Sequence, residues 1–152
     1  MKYKVKYYEL KINDSYETYL KTPEAVYKAL QDDYSPIQEV MVIYGLNIKN
    51  KIILKKQVAI GSYNTIMCSP ADIFQYLLLA GCRSFIIAHN HPSNELTPSQ
   101  EDIVFTKKLE KACKYVGVNM LDHIIFTNKE YYSFKKNRLI WAKIHGGKEW
   151  LY

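Results

Sequence analysis

The stretch Phe85-Ile86-Ile87-Ala88-His89-Asn90-His91-Pro92-Ser93 constrains the fold of this chain more than any other. Four consecutive apolar residues read as a buried strand that delivers His89 at its end. In extended chain, residues two apart project to the same side, so His89 and His91 can present both imidazoles to one point. Pro92 agrees with this, because the residue before a proline is pushed out of the helical region. A short polar loop, Ser93 to Leu96, leads to a helix start, with Thr97 as N-cap, Pro98 as first helical residue and Gln100 closing a capping box. On that helix Asp102 stands three residues before Phe105 and seven before Leu109, which puts a carboxylate on the apolar face. Such a charge is costly to bury unless something pairs with it. Two nearby imidazoles make a metal ion the economical partner. Ser99, three residues before Asp102, shares the same face. Two histidines and one carboxylate leave a tetrahedral zinc one open position for water, the pattern of a catalytic site rather than a structural one. The same donors would also accept Mn²⁺ or Fe²⁺.

The spacing H-x-H, seven residues, Ser, two residues, Asp resembles the JAMM motif of the JAB/MPN-domain (MPN+) metalloproteases. More narrowly, His89-Asn90-His91-Pro92-Ser93, Pro98-Ser99-x-x-Asp102 and Leu121-Asp122-His123-Ile124-Ile125 look like the RadC-like JAB domain. The resemblance covers roughly residues 37–140. It implies an α/β fold of MPN/JAB type, a mixed β-sheet flanked by helices and similar to that of cytidine deaminases. It implies one Zn²⁺ per chain held by His89, His91 and Asp102, with Ser99 donating its hydroxyl to a developing oxyanion. The implied activity is that of a zinc-dependent hydrolase acting on a peptide or isopeptide bond.

A catalytic zinc also needs a general base beside its water. Glu39 is the lone acid of a hydrophobic strand and points the same way as Met41 and Ile43. Read from its neighbours alone, it serves equally well as a solvent-facing carboxylate at a strand edge. The resemblance decides for the base, because Gln38-Glu39-Val40-Met41-Val42-Ile43-Tyr44 aligns with the early strand that carries the glutamate of the motif. Asn94 stands where the family pattern has glycine; asparagine tolerates left-handed backbone, so a turn adjusts and no ligand position is touched. Asp122 and His123 alternate along an apolar strand. They read as a local backbone acceptor and a satisfied core histidine, with orientation of the metal ligands as the alternative. His89-Asn90-His91 is not an HNH nuclease motif, whose residues are dispersed over a ββα unit. Zinc deaminases use H-x-E with P-C-x-x-C, and the chain has no C-x-x-C.

Around this segment the rest of the chain falls into order. Residues 2–12 alternate lysines with Tyr3, Val5 and Tyr7, a strand with a lysine face suited to a sheet edge, which leaves a homodimer open. Thr22-Pro23 opens a helix running to about Gln31. Residues 37–46 and 51–60 read as a hairpin. Ser69, Pro70 and Asp72 start a helix through Leu79 that is apolar nearly all round and so expected to be buried. Another helix runs from Pro98 to Tyr115 with Gly117 as cap, then strands over 118–126 and 131–134. The expected order is β-α-β-β-α-β-α-β-β. Residues 1–36 form an N-terminal strand-helix extension, 37–140 the JAB/MPN-type domain and 141–152 a basic aromatic tail.

At 152 residues the chain is one domain by length and can bury a real core. No apolar run approaches the ~20 residues of a membrane helix. Cys68, Cys82 and Cys113 are odd in number and widely spaced, which suits free thiols in a reducing, cytoplasmic setting. The net charge of +6 is uneven, because residues 103–152 hold ten basic and four acidic residues and carry the whole excess. That third of the chain could meet nucleic acid, although a solvated lysine face reads as well. The resemblance also carries an association with DNA repair and mobile elements. It supports a second expectation, a DNA-binding accessory protein in which zinc is structural or vestigial. An inactive protein-binding scaffold is the third, and the intact ligand set argues against it.

Overall fold

The computed structural model describes residues 20, 22–61 and 68–137. The elements in chain order are α1 (Pro23–Leu30), β1 (Val40–Leu46), β2 (Ile52–Ile60), α2 (Pro70–Leu79), β3 (Ser84–Asn90), α3 (Gln100–Val116), β4 (Asn119–Phe126) and β5 (Tyr131–Ser133). From the first helix onward this is the expected order. The strand expected over 2–12, the tail 141–152 and all but two residues of the 62–69 loop lie outside the described residues.

The strands form one mixed sheet in the order β2-β1-β3-β4-β5. β1 pairs antiparallel with both β2 and β3, β3 runs parallel to β4, and β5 returns antiparallel to β4. The parallel pair needs a long crossover, and α3 supplies it. β1 and β3 are buried at all seven positions each. This explains the continuous apolar runs Val40–Leu46 and Phe85–Ala88, which show no polar alternation. One face packs Met41, Ile43, Phe85, Ile87 and Ile125 against Ile73, Phe74 and Leu77 of α2 and Leu109 and Cys113 of α3. The opposite face packs Val42, Tyr44, Ile86, Ala88 and Ile124 against Val26 and Leu30 of α1. The result is a three-layer α/β architecture consistent with a JAB/MPN-type fold.

Three local expectations are corrected. β1 begins at Val40, three residues later than expected. Ser35 Oγ accepts the N–H groups of Ile37 and Gln38, which bends the chain and leaves Ile37 73% exposed. α3 begins at Gln100 with Ser99, not Thr97, as N-cap, because Asp102 closes the capping box on Ser99. α2 is buried on one side only: Ile73, Phe74 and Leu77 face the sheet, while Leu78 and Leu79 are exposed. The Ser69–Asp72 capping box of α2 and the left-handed Gly117 at the end of α3 are as expected. Among the described residues, no helix is long and apolar enough to cross a membrane.

Gly45, inside β1, lies against the start of β3. A Cβ there would overlap the Cys82 Sγ and stand 3.0 Å from the Leu54 Cβ. Gly45→Ala is therefore expected to cost about 1–3 kcal/mol by overpacking a core that cannot yield. Adding Cys82→Ala should recover much of that loss, read as the midpoint of urea unfolding.

Candidate metal centre

Three strand ends and one helix end assemble the site. β3 carries His89 to its C-terminal end, where ligands collect in α/β sheets. His91 lies two residues on, its backbone N–H bonded to the Phe126 carbonyl at 3.1 Å. Because β1 is antiparallel to β3, its start meets the end of β3, and Met41 pairs with His89. Glu39, two residues before Met41, therefore comes to the same end and lines the same cleft. The first turn of α3 brings Asp102 over both imidazoles.

The ligand atoms meet closely. His89 Nε2 lies 3.0 Å from His91 Nε2 and 3.2 Å from Asp102 Oδ1, and His91 Nε2 lies 3.5 Å from Asp102 Oδ2. Two donors on a tetrahedral zinc stand about 3.3 Å apart, given bonds of about 2.0–2.1 Å. The spacing fits. Among the described residues these three form the cluster that could hold a metal ion.

The chemistry of the donors also fits. His91 Nδ1 lies 2.6 Å from the Glu95 carbonyl oxygen, which can only accept, so Nδ1 carries the proton. The Nε2 lone pair is then aimed at His89 and Asp102. The His91 pKa is raised: burial opposes this, but the Asp102 carboxylate and the Glu95 carbonyl outweigh it. Burial would also raise Asp102, yet the His89 and His91 imidazoles beside it hold it far below the usual carboxylate range.

Asp102 has a second task. Its Oδ2 accepts the Ser99 N–H at 2.8 Å, and Ser99 Oγ accepts the Asp102 N–H at 3.0 Å. Helix capping and facing the imidazoles are here one carboxylate's work. Ser99 is exposed on the cleft wall, its oxygen occupied by the cap and its O–H left as its donor. Glu39 is half-buried, and burial raises its pKa above the ordinary 4.5, with His89 and His91 pulling the other way. The cleft has a volume of about 370 Å³ and is lined by Glu39, Met41, His91, Ser99 and Asp102, with Cys68 and Phe105 at its side.

Three further residues were not singled out as site residues from the sequence. Asn90, between the two histidines, points to the α1 face and is fully buried. Its Oδ1 accepts the Val40 N–H at 2.7 Å, and its Nδ2 donates to the Ser35 and Gln38 carbonyls at 2.6 and 2.9 Å. It clamps the backbone on both sides of Glu39. His123, also fully buried, places Nε2 2.9 Å from His89 Nδ1 and Nδ1 2.6 Å from Thr106 Oγ1. Burial holds its pKa well below 6.5 and keeps it neutral. It is a core histidine as expected, and its partners are His89 and Thr106. The signal for Thr106 was its position four residues after Asp102 on one helix face. Asp122 is the expected local acceptor, taking the N–H groups of His123 and Lys135 and the Ser133 hydroxyl. Asn94 has φ 60°, the left-handed backbone anticipated for it.

A RadC-like JAB domain model matches residues 20–139. The chain is 34% identical over 121 residues to a UPF0758 protein of Aquifex aeolicus, covering 80% of this chain and 52% of that one. It is 46% identical over 102 residues to a UPF0758 protein of Carboxydothermus hydrogenoformans, covering 67% and 45%. A UPF0758 protein of Clostridium perfringens is 33% identical over 135 residues, covering 88% and 60%. The chain belongs to the RadC-like JAB domain family. It spans about half the length of the curated relatives it matches.

Two predictions follow from this geometry. Because the His91 pKa is raised, protons should compete with a metal ion for its Nε2. Affinity, measured by chelator competition, should fall as pH drops from about 8 to about 6. Asn90→Ala strands the buried Val40 N–H and two carbonyls and should cost about 2–3 kcal/mol in urea unfolding.

Proposed function

We propose that this chain is a zinc-dependent hydrolase that cleaves an amide-type bond, peptide or isopeptide. The observation that carries the reading is the meeting of His89 Nε2, His91 Nε2 and the Asp102 carboxylate at 3.0–3.5 Å, on a cleft that Glu39 and Ser99 also line. Family membership and the donor set, two imidazoles and one carboxylate, both favour zinc. Bound by these three residues, zinc would acidify water toward a pKa of ~7 and polarise a carbonyl. Glu39, its basicity raised by burial, takes the proton from the attacking water and returns it to the leaving amine. Ser99 offers its O–H to the developing oxyanion; one such donor is typically worth ~3 kcal/mol. Asn90 keeps Glu39 in place throughout.

Nucleic-acid binding is the second reading. What favours it is the row of exposed lysines along α3, Lys107, Lys108, Lys111 and Lys114, within the basic third of the chain. This reading requires an affinity for duplex or single strands that falls steeply with salt. Salt-independent or absent binding counts against it.

Metal analysis of protein purified without chelator tests the first reading. About one zinc per chain is expected, lost in the His89→Ala/His91→Ala variant. Glu39→Gln should retain the zinc and lose turnover on the peptide or isopeptide substrate that a screen of the loaded protein identifies. No zinc uptake by the wild type, or full activity in Glu39→Gln, overturns the mechanism.

A further inference from the structure

We infer that His123 is a positioning residue that, with Thr106, fixes the tautomer of His89 so that its Nε2 is always offered to the metal. The inference rests on the metal-binding reading above and extends it beyond the three ligands. A hydroxyl has one hydrogen. Thr106 gives it to the Asp102 carbonyl oxygen, 2.6 Å away, which can only accept. Towards His123 Nδ1, also 2.6 Å away, the Thr106 oxygen must therefore accept, and Nδ1 bears the proton. A neutral imidazole protonated at Nδ1 has a bare Nε2. That atom accepts from His89 Nδ1 at 2.9 Å, so the His89 proton stays on Nδ1. His89 Nε2 is left as a lone pair facing His91 Nε2 and Asp102 Oδ1.

The chain of bonds closes on itself, because Asp102 supplies both the carbonyl that orients Thr106 and the carboxylate that faces His89. Nothing in it is free to turn. Thr106 is 1% exposed and His89 1%. The His123 ring stacks on the buried Phe134 at 4.6 Å with 10° between the planes, and Phe105 approaches its edge at 6.5 Å. A histidine needed only to fill the core would be as well served by an apolar side chain. His123 has both nitrogens engaged, each with a defined proton.

The test compares zinc affinity in wild type, His123→Leu, His123→Gln and Thr106→Val, by chelator competition, and the visible spectrum of the Co²⁺-loaded forms. Leucine removes the acceptor and should weaken zinc about 10–100-fold. Glutamine, which can place an oxygen near the Nε2 position, should regain most of that loss and the wild-type Co²⁺ spectrum. Thr106→Val should weaken zinc less than leucine does. ¹⁵N imidazole spectra of the wild type need no variant, and should show His123 neutral with its proton on Nδ1. Equal zinc affinity in His123→Leu, or a proton on His123 Nε2, overturns this inference and leaves the hydrolase reading standing. A wild-type chain that takes up no zinc overturns both.

Discussion

A carboxylate facing two imidazoles in a half-closed cleft is expensive to assemble, and the surroundings of Asp102 are arranged so that the other valences of all three groups are filled. The Glu95 carbonyl takes the His91 Nδ1 proton, and His123 takes that of His89. The Ser99 N–H satisfies the outer oxygen of Asp102. What remains unfilled points inward, to one place. Desolvation would push Asp102 toward its neutral form, and the opposing pull of the neighbouring imidazoles prevails. The three side chains therefore already hold a charge balance that a divalent cation could complete.

Sheet geometry brings the remaining groups to this point. Antiparallel pairing of β1 with β3 places the start of one strand beside the end of the other, so Glu39 and His89 share an end of the sheet although fifty residues separate them. Parallel pairing of β3 with β4 sets Ile87 opposite His123 and His89 opposite Ile125, which puts both histidines on the α3 face as diagonal neighbours. The crossover helix then starts where β3 ends, and its capping box orients Asp102. Each of these placements follows from strand direction, and none requires an unusual backbone conformation.

Much of this was legible in the chain. The continuous apolar runs Val40–Leu46 and Phe85–Ala88 announce strands buried on both faces, and His-x-His at the end of the second fixes which face the imidazoles share. The Ser69 box and the Gly117 stop are local chemistry and were readable as such. The start of α3 was harder, since Thr97-Pro98 and Ser99-Gln100 both make acceptable beginnings. The choice falls to Ser99 because Asp102, four residues into the competing helix, is already held by tertiary contacts. The excess length assigned to β1 has a similar cause: Ile37 suits a strand by type, but Ser35 and Asn90 bond its backbone into a bend. α2 misled because an all-round apolar helix suggests complete burial, whereas a three-layer sheet fold covers only the side facing the sheet. Asn90 was out of reach because its partners Ser35, Gln38 and Val40 are distant in sequence, and for the same reason the sequence left His123 between a core histidine and an orienting one without naming His89 and Thr106 as its partners.

The buried polar residues Asn90, Thr106 and His123 occupy ground where apolar side chains would pack without desolvation cost. Replacing a buried hydrogen-bonded pair by apolar groups of similar shape is often neutral or stabilising, so stability alone does not account for them. Their positions are informative instead. Asn90 holds the chain on either side of Glu39, while His123 bonds the His89 ring and Thr106 the Asp102 backbone carbonyl. The single tripeptide His89-Asn90-His91 thus serves both faces of the sheet: its outer residues face Asp102 and its middle residue anchors the segment that bears Glu39. A slip of one residue in β3 would exchange these faces, leaving the imidazoles on the α1 side and Glu39 unclamped. The pairing of β3 between β1 and β4, buried along its whole length, makes that slip costly, and so a strand held on both edges is also the one that can carry the chemistry.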